Sequence, residues 1–417
     1  MPDESDPCWD WLICLCIDLS IRSERSPSVA GPKACDLIGA LYCTVSVLSG
    51  WWDWQYANLK TGVHMEHETV KREVILGVDT HLDTHVAAVI DGAGKLLGTL
   101  AVPTDTAGYL KLLAWAQSLG MLHKAGVEGT GTYGAGLARL LCDHAIEVLE
   151  VNRPDRANRR LRGKSDPTDA ENAARAVLSG TATAIPKSQS GAAEAMRTVS
   201  VARRSAVKAK TQAVNQLRAL LVSAPQNIRE RLWKAKPEQC VEACARIRNL
   251  GDTALLQALT STLKLLAKRW LMLAAELKEL DATLDRLTSQ SARRLREQFG
   301  VGPQTAAILM AVAGDNPERL RSEAALAALC GVSPLQASSG KTTRHRLNRG
   351  GDRSANNALW TIAMVRMRSE PRTRAYVERR TMEGMSGKEI HRCLKRYIAR
   401  ELYPIILADL ADAAGVS

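Results

Sequence analysis

Between residues 73 and 151 the hydrophobic period changes again and again, and that change limits the fold more than any other feature. "EVILGVD", "THVAAVID" and "KLLGTLAVP" alternate apolar and polar residues as strands do, and Asp91-Gly92 reads as a hairpin turn. "AGYLKLLAWAQSLG" then spaces its apolar residues as a helix does, with Gly120 as the expected C-cap. "KAGVEGT" follows as a short buried strand, "YGAGLARLLCDHA" as a helix and "IEVLEVN" as a further strand. A hairpin sheet that runs on into strand–helix alternation predicts an α/β layer fold. In such folds the C-terminal ends of the strands share one edge, where ligands bind.

Carboxylates fall at these expected ends. Asp79 closes the first strand and Glu128 a later one, inside the glycine-rich "GVEGTGTYG". In "SDPTDAENAARAVLSG" the spacing predicts a helix with Asp166 at the N-cap, Pro167 at the first helical position and Asp169 one turn in. Helix capping alone would account for Asp166 and Asp169, and many strands end in Asp. Together, four anions at one edge would repel strongly. A pair about 4 Å apart costs on the order of 4 kcal/mol at an effective dielectric near 20. The group is tolerable if some members are protonated or if hard cations lie between them. Mg²⁺ takes such oxygen ligands, and two such ions can serve both the attacking and the leaving oxygen of a phosphodiester.

After Asn152 the chain turns basic and helical. Residues 151–235 hold 17 Lys/Arg against six Asp/Glu, with Arg159, Arg160, Arg162 and Lys164 clustered just before the acidic helix. Residues 190–222 and 252–290 read as two long helices joined by a basic connector, which suggests a helical arm or antiparallel coiled coil. A third, mostly helical unit begins near residue 294. In it, "FGVGPQTAA" places Gly300 and Gly302 in a turn between helices. Backbone N–H groups facing outward from that turn would grip a DNA phosphate without reading sequence. An ordinary helix–turn–helix corner has the same spacing.

Farther on, "SPLQASSGKTTRHRLNRGGDRSANNALW" sets Ser338 and Ser339 beside Gly340, with Lys341, Arg344, Arg346, Arg349 and Arg353 close behind. A serine hydroxyl attacks well only when a base or nearby cations ease its ionisation, and cations also stabilise charge on an attacked phosphate. A basic loop that merely touches phosphates is the plainer reading. The whole-chain charge of +12 favours a polyanionic partner, and residues 341–400 alone hold 16 Lys/Arg against five Asp/Glu. With one Phe in the chain, backbone and shape contacts should outweigh base stacking.

"GVDTHLDTH", "GVEGTGTYG" and "KSDPTDAENAARA", in that order, resemble the N-terminal domain of the DEDD-type insertion-sequence transposases, the group guided by a bridge RNA. "GVGPQTAAILMAVAGD" and "ALCGVSPLQASSGKTTRHRLNRGGDRSANNALW" are similar to that family's C-terminal domain. The resemblance implies an RNase H-like (RuvC-like) α/β domain over residues 71–186 and a helical coiled-coil arm over 187–291. A mostly α-helical transposase domain with a helix-hairpin-helix-like segment would follow over 292–400, with a tail at 401–417. It implies that Asp79, Glu128, Asp166 and Asp169 bind Mg²⁺. It also implies a serine nucleophile just before a glycine, best matched by Ser339 with Ser338 adjacent. The implied reaction is DNA cutting and rejoining through a phosphoserine, in a homo-oligomer whose target is chosen by a structured RNA. The alternatives are a metal-dependent junction nuclease without a serine step, and an inactive nucleic-acid-binding remnant.

The first 64 residues differ from the rest. They carry four Lys/Arg against eight Asp/Glu, five of the ten Cys and five of the nine Trp. "CWDWLICLCIDL" is too short and too acidic for a membrane span or a secretory signal, and its Cys-Leu-Cys lacks zinc-site spacing. The extension, residues 1–70, is expected to lie outside the working fold, with Met65 the natural start. The five later cysteines read as buried thiols of a reducing cytoplasm, which the resemblance implies is bacterial, and no later segment suits a membrane.

Overall fold

The computed structural model describes residues 72–151, 165–340 and 345–415. The extension, the basic cluster Arg159, Arg160, Arg162 and Lys164, and the loop residues Lys341 and Arg344 lie outside the described residues. Three antiparallel strands, β1 (Glu73–Thr80), β2 (Thr84–Asp91) and β3 (Leu96–Pro103), open the fold. Helix α1 (Thr106–Leu119) leads to β4 (Met121–Glu128), and α2 (Ala135–Asp143) to β5 (Glu147–Val151). The sheet order is β3-β2-β1-β4-β5, with β4 parallel to both β1 and β5. The α/β expectation therefore holds, and the C-terminal ends of β1 and β4 lie side by side.

Helix α3 (Asp166–Leu178) crosses the sheet at very close range. A Cβ on Gly77 would lie 2.1 Å from the carbonyl oxygen of Ala170, and one on Gly126 would lie 2.6 Å from that of Ala173. Only a strand without side chains at these two points lets the helix backbone approach so near. The helix answers with its own small residues, Ala170, Ala173 and Ala174, all buried. Gly77 and Gly126 thus fix where the acidic first turn of α3 ends up. Ser165, and not Asp166 as the spacing predicts, is the N-cap, and Asp166 is already helical with Pro167 next. Asp169 donates its N–H to Ser165 O at 3.0 Å, so the cap is set by the backbone one residue earlier than the spacing predicts.

Two long helices follow, α4 (Ala192–Ser223) and α7 (Ala254–Ser291), joined through α5 (Gln226–Leu232) and α6 (Pro237–Ala245). They pack antiparallel. Leu217 and Leu221 share a core with Leu263 and Ala267, while Ala206 meets Leu273 and Leu277, and Met196 meets Leu284. The remainder is helical: α8 (Arg293–Arg296), α9 (Pro303–Ala313), a short 3-10 turn (Pro317–Arg319) and α10 (Glu323–Leu329). A two-stranded hairpin, β6 (Leu335–Gln336) with β7 (His345–Arg346), precedes α11 (Arg353–Ser369), α12 (Pro371–Met382) and α13 (Gly387–Gly415). Helices α9, α11 and α13 build one core around Met310, Leu359, Ile362, Ile398 and Ile406.

Cys240, Cys244 and Cys330 are buried as expected, and burial pushes the thiols of Cys244 and Cys330 up to about 12, so neither is reactive. Cys142 departs from expectation and is exposed. Among the described residues no helix is long and apolar enough to cross a membrane.

Candidate active site

Asp79 stands at the end of β1 and is 7% exposed. Glu128 stands at the end of the neighbouring β4, where Thr80 Oγ1 donates to the Glu128 carbonyl at 2.9 Å and ties the two strand ends together. Helix α3 delivers Asp169, which is buried, and the half-buried Asp166 from the other side. Burial pushes the Asp79 carboxyl up to about 6. His81 opposes the shift, while the negative charges of Glu128, Asp169 and Asp166 add to it. That one carboxyl senses the charge of all three other acids, and of the three Asp166 offers a ligand atom beside it.

The sequence reading missed His81. Its Nδ1 lies 4.0 Å from Asp79 Oδ2, and Asp79, His81 and Asp166 each offer one ligand atom within 4.8 Å of the others. The signal was present in "DTH": residues two apart at a strand end face the same side. The donor set suits a divalent cation: hard carboxylate oxygens, a net negative pocket, and one ring nitrogen that Mn²⁺ or Zn²⁺ accepts more readily than Mg²⁺.

The raised Asp79 carboxyl sets a sign for pH dependence. Its ordinary value is 3.8, so between there and about 6 the folded chain holds a proton that the unfolded chain has released. Metal-free stability should therefore fall as pH rises through that window. A divalent ion that binds only the folded, ionised site should reverse this, raising the thermal midpoint well above pH 6 and hardly at all below it. Thermal melts across pH with and without Mg²⁺ read both effects, and a midpoint indifferent to the ion above pH 6 would contradict them.

The second cluster lies elsewhere in the chain. Ser338 and Ser339 are exposed in the loop between β6 and β7, and Gly340 takes a positive φ of 57°. Among the described residues neither serine hydrogen-bonds to the four carboxylates. Arg346, Arg349 and Arg353 are exposed and have no carboxylate partner among the described residues.

The glycine turn departs from expectation. Gly300 adopts a φ of 83°, as the tight turn requires. However, Gly302 donates its N–H to Thr305 Oγ1 at 3.0 Å and Val301 donates its own to Gln298 O at 3.0 Å. Two of the N–H groups expected to face a phosphate are therefore already used. What faces outward is an open groove lined by Gly300, Gly302, Gln304, Thr361 and Arg203.

Known proteins match both regions. Residues 76–224 match a family model described as a transposase of the DEDD, IS110 type, and residues 292–378 match one described as "Transposase IS116/IS110/IS902 family". The first span contains all four acids, and the second contains the glycine turn and both serines. Over 114 residues the chain is 32% identical to the "Insertion element IS110 uncharacterized 43.6 kDa protein" of Streptomyces coelicolor. That match spans 27% of this chain and 27% of the relative.

Proposed function

The chain belongs to the IS116/IS110/IS902 family of transposases, and on that footing we propose that it cuts and rejoins DNA strands to move an insertion sequence. The observation that carries the proposal is the buried Asp79 at the strand edge, whose carboxyl is pushed up to about 6 by burial and, further, by the charges of Glu128, Asp169 and Asp166. The strand order, three antiparallel strands followed by two parallel ones, supports an RNase H-like domain over residues 71–186. Antiparallel packing of α4 on α7 supports a coiled-coil arm over 187–291, ahead of a C-terminal domain over 292–400 and a tail over 401–417.

In this reading Asp79, Glu128, Asp166 and Asp169 would hold Mg²⁺, with His81 nearby. A bound divalent ion supplies Lewis-acid stabilisation to phosphodiester oxygens. The side chains hold the geometry. Gly77 and Gly126 let α3 press its acids against the strand ends, and buried Asp79 shields its carboxylate from bulk water. Ser339, with Ser338 beside it, supplies the nucleophile. Its Oγ forms a bond to phosphorus as the bond from phosphorus to one deoxyribose oxygen breaks, and the hydroxyl proton passes to the departing oxygen or to solvent. Attack by a deoxyribose hydroxyl of the exchange strand reverses the step and frees the serine, conserving the phosphodiester bond energy. Arg346, Arg349 and Arg353 offset the phosphate charge around the loop. Ser339 is exposed and makes no hydrogen bond to the acids, which fits a serine that meets the acidic site of a partner subunit in a homo-oligomer. A structured RNA encoded beside the gene would choose the target, held by the basic segments 151–235 and 341–400.

The test is a plasmid carrying the gene with its native flanking DNA, incubated with full-length protein and the flanking transcript. Joined products and a detergent-stable protein–DNA adduct are expected with Mg²⁺, and neither with the ion chelated. Binding without products under both conditions would instead indicate a non-catalytic nucleic-acid-binding protein.

A further inference from the structure

Ser338 and Ser339 are exposed, yet the neck of the segment that carries them is built with unusual closeness. Gly331 and Gly351 both take positive φ values, 64° and 82°. A Cβ on Gly331 would lie 2.4 Å from Gly350 O, and one on Gly351 would lie 2.4 Å from Gly331 N. The two ends of the loop therefore touch backbone to backbone, and Asp352 N donates to Leu329 O at 2.6 Å across the same closure.

One side chain joins this neck to the core. Asn356, in the first turn of α11, donates through Nδ2 to both Cys330 O, at 2.9 Å, and Gly331 O, at 3.1 Å. Its Oδ1 accepts from Lys395 Nζ at 2.9 Å. An ammonium can only donate and a carbonyl can only accept, so this set of partners fixes the orientation of the amide. Lys395 lies on α13, is 9% exposed, and stands outside the matched span 292–378. Its ammonium is thus committed to a single side chain rather than to solvent or DNA.

We propose that Asn356, locked by Lys395, is a positioning residue for the strand-transfer reaction, fixing the neck of the serine loop so that the Ser339 hydroxyl keeps its line of attack. The role rests on the reading of this loop as the bearer of the nucleophile. Alignment of reacting atoms is worth a great deal, and a displacement of about 1 Å can lower a rate roughly 100-fold. Such an effect appears in the rate of covalent adduct formation and leaves DNA binding alone.

The decisive variant is Asn356→Asp. It keeps the volume and the acceptor for Lys395 but loses both N–H donors and sets a carboxylate oxygen against two carbonyl oxygens. Lys395→Met is the second variant, removing the ammonium while filling its space. Full-length protein, plasmid DNA and flanking transcript are used throughout. We expect Asn356→Asp to lower the adduct rate about 10- to 100-fold, with plasmid retention near that of the unaltered chain and a thermal midpoint lowered by the two carbonyl oxygens left without donors. Amide hydrogen exchange should rise in residues 332–350 and not in α9 or α13. Lys395→Met should move the same two readouts in the same direction by less. Adduct formation by Asn356→Asp at the unaltered rate overturns the positioning role alone. So does a loss of rate that tracks a fall in thermal midpoint without change of exchange in the loop, since that marks a structural residue. If the unaltered chain forms no adduct at all, the serine reading fails and the positioning role fails with it.

Discussion

Asp79→Ala should abolish joined product, a loss of at least about 10³-fold in single-turnover rate, while the protein still retains plasmid DNA. The size follows from where the residue stands. Asp79 is buried at the strand edge, and its charge is coupled to Glu128, Asp169 and Asp166 at once. On the proposed reading, removing it would take a ligand from the ion and leave a gap at the strand edge. Loss of one electrostatic stabiliser typically costs about 10²–10³-fold, and loss of a ligand that holds the ion would forfeit the ion's own stabilisation as well. The same substitution should raise metal-free stability above pH 6, because the cost of burying an ionised carboxylate disappears with it. Lower activity with raised stability in one variant separates a site residue from a packing residue, whose removal lowers both. Thermal melts and a product assay on the same preparation measure the pair. An Asp79→Ala protein that is less stable and keeps its activity would place the chemistry elsewhere.

Ser339→Ala should eliminate the detergent-stable protein–DNA adduct entirely, because no other atom at that position can bond to phosphorus. Ser338→Ala should leave an adduct, reduced by the disturbance to its neighbour. The loop explains why the two can be told apart. Gly340 turns the chain immediately after Ser339, and both serines are exposed at the end of a two-stranded hairpin, so neither change disturbs a core. The adduct is read by gel mobility after denaturation, and the attachment site by mass spectrometry of the trapped peptide. The reverse pattern, adduct lost with Ser338→Ala alone, would transfer the nucleophile by one residue. Cleavage that continues undiminished in Ser339→Ala without any adduct would assign the chain to metal-dependent junction nucleases that use the four acids alone.

Much of this architecture was legible before any coordinates. Alternation in "EVILGVD" and "THVAAVID" gave the hairpin, and the Leu-rich helical run over residues 252–290 gave one side of the arm. Those elements are recoverable because period and burial coincide in them. The acids were found because each lies where an element ends, a position readable from strand and helix limits. What could not be read was the reason they meet. Gly77 and Gly126 look like weak points in their strands, and only the approach of Ala170 and Ala173 shows that they admit the helix. The cap at Ser165 was missed by one residue, since Ser and Asp are equally good caps and the choice lies in the local backbone. The glycine turn misled for a related reason: its spacing announces a bend, but whether an N–H faces outward depends on side chains such as Thr305 three residues on. Asn356 and Lys395, 39 residues apart, gave no signal at all, because a tertiary hydrogen bond leaves no period.

The central claim is that the acids of β1, β4 and α3 form one cation site. Diffraction from crystals of the full chain soaked in Mn²⁺, collected at the manganese absorption edge, tests it most directly. The expected result is an anomalous peak bonded to Asp79 and Asp166, within about 2.2 Å of their oxygens, that vanishes in Asp79→Ala. Manganese bound only at other carboxylates, with these four side chains left bare and mutually hydrogen-bonded, would contradict the account.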